Sequence, residues 1–129
     1  MAEERKLRIL IAEDEEDVAK LYALFARRRG HHPIIARDGA ETLVLAAVEM
    51  PDIVLLDLTM PKLDGRDVCR QLKANPKTAG IPIVVVSALG GDQNTRDLML
   101  ELGAVDVIEK PVDLQITFNK VERLARAAP

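Results

Sequence analysis

The sequence predicts an α/β fold: a doubly wound, five-stranded parallel sheet with helices packed on both faces. Three observations predict it. Five short apolar runs alternate with five stretches of helical periodicity. The runs are nearly continuous in Ile, Val and Leu instead of alternating with polar residues, as in strands buried on both faces. Hydrophobic residues make up 48% of the 129-residue chain, enough for one domain with a real core.

The elements follow in order. The first strand is Leu7 to Ala12. Val18, Leu21, Tyr22 and Phe25 recur at helical spacing, predicting a helix from about Glu15 to Arg29 that stops at Gly30. Pro33 to Ala36 is a short second strand. Asp38 with Glu41 three residues on is an N-cap pattern for a helix ending near Met50. Ile53 to Asp57 is the third strand. Asp64 caps a helix carrying Val68 and Leu72, and Asn75 to Gly80 is turn material. Ile81 to Val86 is the fourth strand. Gly90-Gly91 breaks the chain before a helix with Thr95, Leu98, Met99 and Leu102 on one face, and Gly103 ends it. Ala104 to Glu109 is the fifth strand. Asp113 caps a last helix bearing Leu114, Phe118, Val121 and Leu124. Crossovers between parallel strands are right-handed. No repeat, linker or second domain is expected.

Bulk composition excludes several function classes. Acids outnumber bases 21 to 18, a net charge of −3, which gives no support for nucleic-acid binding through a basic surface. Aromatics are 2%, which argues against base-stacking platforms. No apolar stretch is long enough to span a bilayer, and the charged N-terminus is not a signal peptide. Cys69 is the only cysteine, so a reducing, cytoplasmic location is expected.

In open α/β sheets, ligands bind outside the carboxyl ends of the strands. With strand order 2-1-3-4-5, the residues just past strands one, three, four and five gather at one crevice. They are Glu13, Asp14 and Glu15, then Asp57 and Thr59, then Ser87, then Lys110. Paired acidic strand ends suggest a cation site beside a carboxylate nucleophile, because desolvating an unpaired carboxylate is costly. Hard oxygen ligands suit Mg²⁺, and a carboxylate that accepts a phosphoryl group is known chemistry. Mg²⁺ and Lys110 would neutralise the transferring group, and Ser87 would donate to one of its oxygens. Each residue alone has a plainer role: Glu13 to Asp17 as helix caps, Asp57 as a turn carboxylate, Ser87 as a cap hydroxyl, Lys110 as a solvated charge. Their coincidence at successive strand ends favours the site. His31-His32 lack partners at metal spacing and are expected to be partly exposed. Cys69 is expected to pack rather than react. Gly90-Gly91 lacks a Walker signature.

The ordered set Glu13-Asp14, Asp57-Leu58-Thr59-Met60-Pro61 with Asp64-Gly65, Ser87-Ala88 and Lys110-Pro111 resembles the receiver domain of two-component response regulators, across essentially the whole of residues 1–129. That family has a flavodoxin-like fold with the strand order above. The resemblance implies that Asp57 is the phosphoacceptor, taking a phosphoryl group from a phosphohistidine on a sensor histidine kinase or a histidine phosphotransfer protein. It implies that Asp14 is a direct Mg²⁺ ligand, joined by Asp57 and the Thr59 carbonyl. Glu13, where the family usually has Asp, would act through a bound water. Ser87 would be the switch hydroxyl and Lys110 the phosphoryl-pairing ammonium, with a cis Lys110-Pro111 bond. Thr59 and Leu89 lie where the family tunes dephosphorylation.

Two residues depart from the family pattern. Val107 replaces a usual Tyr or Phe, so a signal would travel through the loop after strand four and the fourth helix. Val112 stands where Phe is frequent. The resulting expectation is a phosphoacceptor switch, not a turnover enzyme. It would act on an unknown downstream protein through helix four, strand five and helix five. The chain would be monomeric or weakly dimeric, with Asp106 and Lys120 as a candidate pair across a dimer. A stand-alone regulator and a receiver excised from a longer chain are both compatible. An aspartyl-phosphate hydrolase would want a second carboxylate where Thr59 stands. A flavin module would want a glycine- and hydroxyl-rich loop where Glu13 to Asp17 stand. A degenerate receiver signalling without phosphate would want the set broken.

Overall fold

The computed structural model describes residues 5–60 and 64–128. Pro61 of the predicted motif lies outside them, as do the terminal residues 1–4 and 129. The elements run β1 (Arg8–Ala12), α1 (Glu16–Arg28), β2 (His32–Ala36), α2 (Gly39–Glu49), β3 (Ile53–Asp57), α3 (Gly65–Ala74), β4 (Ile83–Ser87), α4 (Gln93–Glu101), β5 (Asp106–Glu109) and α5 (Leu114–Ala127). The sheet is parallel throughout, in the order β2-β1-β3-β4-β5. This is the predicted topology.

The strands carry a core on each face. Leu10, Val54, Leu56, Ile83 and Val85 point to one side, where they meet Val68, Cys69 and Leu72 of α3 and Met99 of α4. Ile9, Ile11, Ile53, Leu55, Val84 and Val86 point to the other, against Tyr22, Ala23 and Ala26 of α1 and Phe118, Val121 and Ala125 of α5. Each fully buried Ile, Leu or Phe contributes roughly 1.5–3 kcal/mol, so both faces are firmly held. With β3 and β4 buried at every position, their carboxyl ends are rigid mounts for whatever follows.

The caps are mostly as read. Asp38, Asp64, Asp92 and Asp113 each accept a backbone N–H from the first turn of the helix they precede. The helix ends at Gly30 and Gly103 use φ values of +85° and +109°, open to glycine at no steric cost.

Several boundaries differ from expectation, each for a local reason. β4 starts at Ile83, not Ile81, because the Ile81 N–H closes a turn on Thr78 and Pro82 has no N–H to give. β5 starts at Asp106, because the Ala104 N–H is spent on Met99 at the end of α4. On α4 only Met99 is buried, while Leu98 is exposed. His31 is not partly exposed but buried: its Nδ1 accepts from the Leu7 N–H, and its Nε2 lies 2.7 Å from Glu122. Asp106 and Lys120 do not await a second copy; they pair within one chain at 2.8 Å.

Candidate functional site

Four segments converge at the carboxyl edge of the sheet. β3 delivers Asp57, which is 4% exposed. Its Oδ1 accepts the backbone N–H of Thr59 at 3.0 Å and the Thr59 hydroxyl at 2.9 Å. Its Oδ2 accepts from Lys110 Nζ at 2.9 Å. Lys110 reaches it from the turn after β5, where the Lys110-Pro111 peptide is cis. The Thr59 hydroxyl thus donates its hydrogen to the Asp57 carboxylate.

The segment after β1 brings Glu13 and Asp14 alongside. Glu13, Asp14 and Asp57 each offer a carboxylate oxygen within 4.8 Å of the others. Asp14 is exposed, whereas Glu13 is buried to 1%. Glu13 Oε2 accepts the Glu15 N–H at 3.0 Å, and Glu13 Oε1 is buried without a hydrogen-bond partner. A carboxylate oxygen stripped of water and left unmet is costly. That orphaned oxygen, in an all-oxygen donor set, fits a hard divalent cation.

The charges strain against one another. Burial, then a hydrogen bond shared with Asp57, pushes Glu13 up to about 7. As an acid, Glu13 can donate its proton to Asp57, which reconciles that bond with an oxygen that is unpartnered when ionised. Burial also works against ionised Asp57, but the Thr59 N–H, Lys110 and Glu13 outweigh it and hold Asp57 below the ordinary carboxylate range. Burial likewise lowers Lys110, yet its bond to Asp57 and the nearby acids leave it above its usual value. The site holds three carboxylates against one ammonium, so added positive charge is favoured there.

Ser87 ends β4, 1% exposed, and its Oγ accepts the Leu89 N–H at 3.0 Å. Leu89 itself is 60% exposed. Ser87 and Leu89 share a cleft of about 390 Å³ with Leu58, Thr59, Met60, Asp64 and Arg66. On the other side of Lys110, Val112, Pro111, Leu114, Val18, Leu21 and Tyr22 line an apolar hollow of about 580 Å³. Val107, in place of an aromatic ring, is packed in the core against β4.

The sequence reading missed Tyr22. Helical spacing places it in the core, and it is 5% exposed. It also feels the site: burial first, then the charge of Glu13, raises its phenol. A helix period marks which face is buried, not whether that face ends beside a charge.

Residues 9–122 match the model of the response regulator receiver domain family. Among curated relatives, response regulator PleD of Caulobacter vibrioides is 40% identical over 119 residues, covering 92% of this chain and 26% of PleD. The alkaline phosphatase synthesis transcriptional regulatory protein PhoP of Bacillus subtilis is 36% identical, covering 92% of this chain and 48% of PhoP. The chain thus spans a quarter to a half of the length of these relatives. A solved response regulator from Chloroflexus aurantiacus superposes with a TM-score of 0.86 at 28% identity, over 94% of this chain and 98% of that one. The receiver domain of sensor histidine kinase PA1611 from Pseudomonas aeruginosa, solved with a magnesium ion in its active-site cleft, shares the fold at a TM-score of 0.84 and 24% identity, over 94% and 98% of the two chains. No helix among the described residues is long and apolar enough to cross a membrane. With the family model covering both cores and the acidic edge, this chain belongs to the receiver domains of two-component response regulators.

Proposed function

We propose that Asp57 is the phosphoacceptor of this receiver and that the transfer depends on Mg²⁺. The observation that carries the reading is Asp57 itself: buried, ionised by its neighbours, tied to Lys110 at 2.9 Å and clustered with Glu13 and Asp14. A carboxylate oxygen of Asp57 attacks phosphorus, the P–N bond to a donor imidazole breaks, and the imidazole keeps the electron pair as an acyl phosphate forms. Lys110 stays with the new phosphoryl oxygens, and the Ser87 hydroxyl donates to one of them. Asp14, Asp57 and the Thr59 carbonyl would hold the metal, with Glu13 behind them through water. When bound, Mg²⁺ supplies charge neutralisation on the equatorial oxygens.

The donor would be a phosphohistidine on a sensor histidine kinase or a phosphotransfer protein. The product would be a changed protein-binding surface on α4, β5 and α5, not a released metabolite and not a DNA complex. The free, buried thiol of Cys69 supports a cytoplasmic location. The intact set of Glu13, Asp14, Asp57, Ser87 and Lys110 argues against signalling without phosphate. Incubation with Mg²⁺ and acetyl phosphate, followed by mass spectrometry, tests the assignment. One phosphoryl adduct is expected on the wild type, and none on Asp57→Asn or without divalent metal. Unchanged labelling of Asp57→Asn would sink the assignment.

A further inference from the structure

The loop that follows Ser87 lies flat on the strand that precedes Lys110. The two backbones meet at one atom, the Ser87 carbonyl, which accepts the Lys110 N–H at 2.9 Å and the Gly90 N–H at 3.0 Å. Three residues on, the approach is closer than any side chain allows. A Cβ added to Gly90 would stand 2.7 Å from Glu109 Cα and 2.9 Å from the Ile108 carbonyl carbon. Gly90 has no left-handed φ, so it is space, not backbone conformation, that requires glycine there.

Arg96, in the first half of α4, reaches over this contact. Its Nη1 donates to the Val107 carbonyl at 2.7 Å and to the Gly90 carbonyl at 3.3 Å. Its Nη2 lies 3.6 Å from Asp106 Oδ1, and the other oxygen of Asp106 pairs with Lys120 of α5 at 2.8 Å. One guanidinium therefore touches the loop carrying Ser87, the backbone of β5 and, through Asp106, helix α5. The side chain of Val107 has no polar group to make such a link, so only its carbonyl is available. Arg suits the task because its planar fork is always charged and presents several donors in fixed geometry.

We infer that Arg96 is the positioning residue that makes the Ser87 loop, β5 and α5 move as one unit. A displacement of Ser87 shifts Gly90, which shifts the guanidinium and so the Asp106–Lys120 pair. The inference rests on the phosphoacceptor reading for its trigger, but the tie itself is present without one.

Wild type, Arg96→Met and Gly90→Ala are compared by ¹⁵N NMR, first alone and then with Mg²⁺ and beryllofluoride. Met keeps the apolar stem and removes all three contacts. In the ligand-free protein, amide exchange at Gly90 and Lys110 is expected to rise about tenfold in Arg96→Met, with little change in the urea midpoint. On beryllofluoride addition, wild-type shift changes are expected to extend from Asp57 and Ser87 to Asp106 and Lys120. In both variants they should stop at the loop, since Gly90→Ala lifts it from β5. Unaltered exchange, or full-sized changes at Lys120 in Arg96→Met, would overturn the inference, and that variant decides alone if Gly90→Ala does not fold. A wild type that binds no beryllofluoride defeats the phosphoacceptor reading instead, and the ligand-free exchange then decides the Arg96 tie by itself.

Discussion

Two acid clusters sit at opposite ends of this domain and are built on opposite terms. At the far end of α1, Glu122 accepts from Arg29 Nε at 2.8 Å and Nη2 at 2.9 Å, and lies 2.7 Å from His31 Nε2. Arg29 and then burial and His31 act on it, and the sum pulls Glu122 down to about 2. At the carboxyl edge, Glu13 goes the other way, up to about 7, with one oxygen unmet. The same residue type is thus a satisfied ionised lock in one place and a carboxyl pushed toward its protonated form in the other. What differs is the count of donors aimed at it. The fold spends two basic groups on one carboxylate at the lock, and shares one lysine among three at the site. The cluster around Glu122 is complete within the fold, whereas the one at the carboxyl edge keeps a buried oxygen unmet.

The largest expected effect comes from breaking the lock. Glu122→Ala removes the shared acceptor of Arg29 and His31, and urea unfolding is expected to show a loss of about 3 kcal/mol. A loss under about 1 kcal/mol would make the lock no more than a surface pair and dissolve the contrast. Because Glu122 is depressed in the folded state, its contribution is present above the ordinary value of 4.5 and is lost as pH falls toward 2.

Next comes Glu13→Gln. With Glu13 raised to about 7, the metal-free folded protein holds a proton that the unfolded chain releases near 4.5. Stability from this group is full below 4.5 and declines as pH rises through 7. Metal-free Glu13→Gln is therefore expected to exceed wild type by about 2 kcal/mol at pH 8, and to match it at pH 4. Mg²⁺ should narrow the gap at pH 8 by stabilising wild type more. Equal stability across that range would mean that Glu13 is as well satisfied as Glu122. The smallest effect sharpens the picture of Asp57. Thr59→Ala removes one of two donors on Oδ1 and should cost about 0.5–1 kcal/mol by thermal unfolding, since the backbone N–H remains.

The site was legible because each of its members lies at a strand end or within two residues past one, and strand ends are set by apolar runs that read directly from sequence. Asp57 after Ile53 to Leu56, Ser87 after Ile83 to Val86 and Lys110 after β5 needed only the topology to bring them together. The lock was not legible. His31 and Glu122 are 91 positions apart, and no periodicity announces that a histidine at a strand's start will meet a glutamate on the last helix. Asp106 and Lys120 read as a solvated pair or as a candidate contact across a dimer, because sequence does not say which charge on α5 reaches the start of β5 within one chain. The ends of β4 and β5 shifted where Pro82 and the closing turn of α4 withheld N–H groups from the ladder. Arg96 was invisible for the same reason as the lock: its acceptors are carbonyls, and every residue has one.

Tyr22 carries a practical corollary. The chain has one tyrosine and no tryptophan, and that tyrosine is buried within the field of Glu13, Asp57 and Lys110. Near-ultraviolet absorption and emission of the unlabelled protein therefore come almost wholly from a chromophore beside these charges. Titration with divalent ions or acyl phosphates can be followed by eye of the spectrometer alone, with no dye attached and no residue replaced.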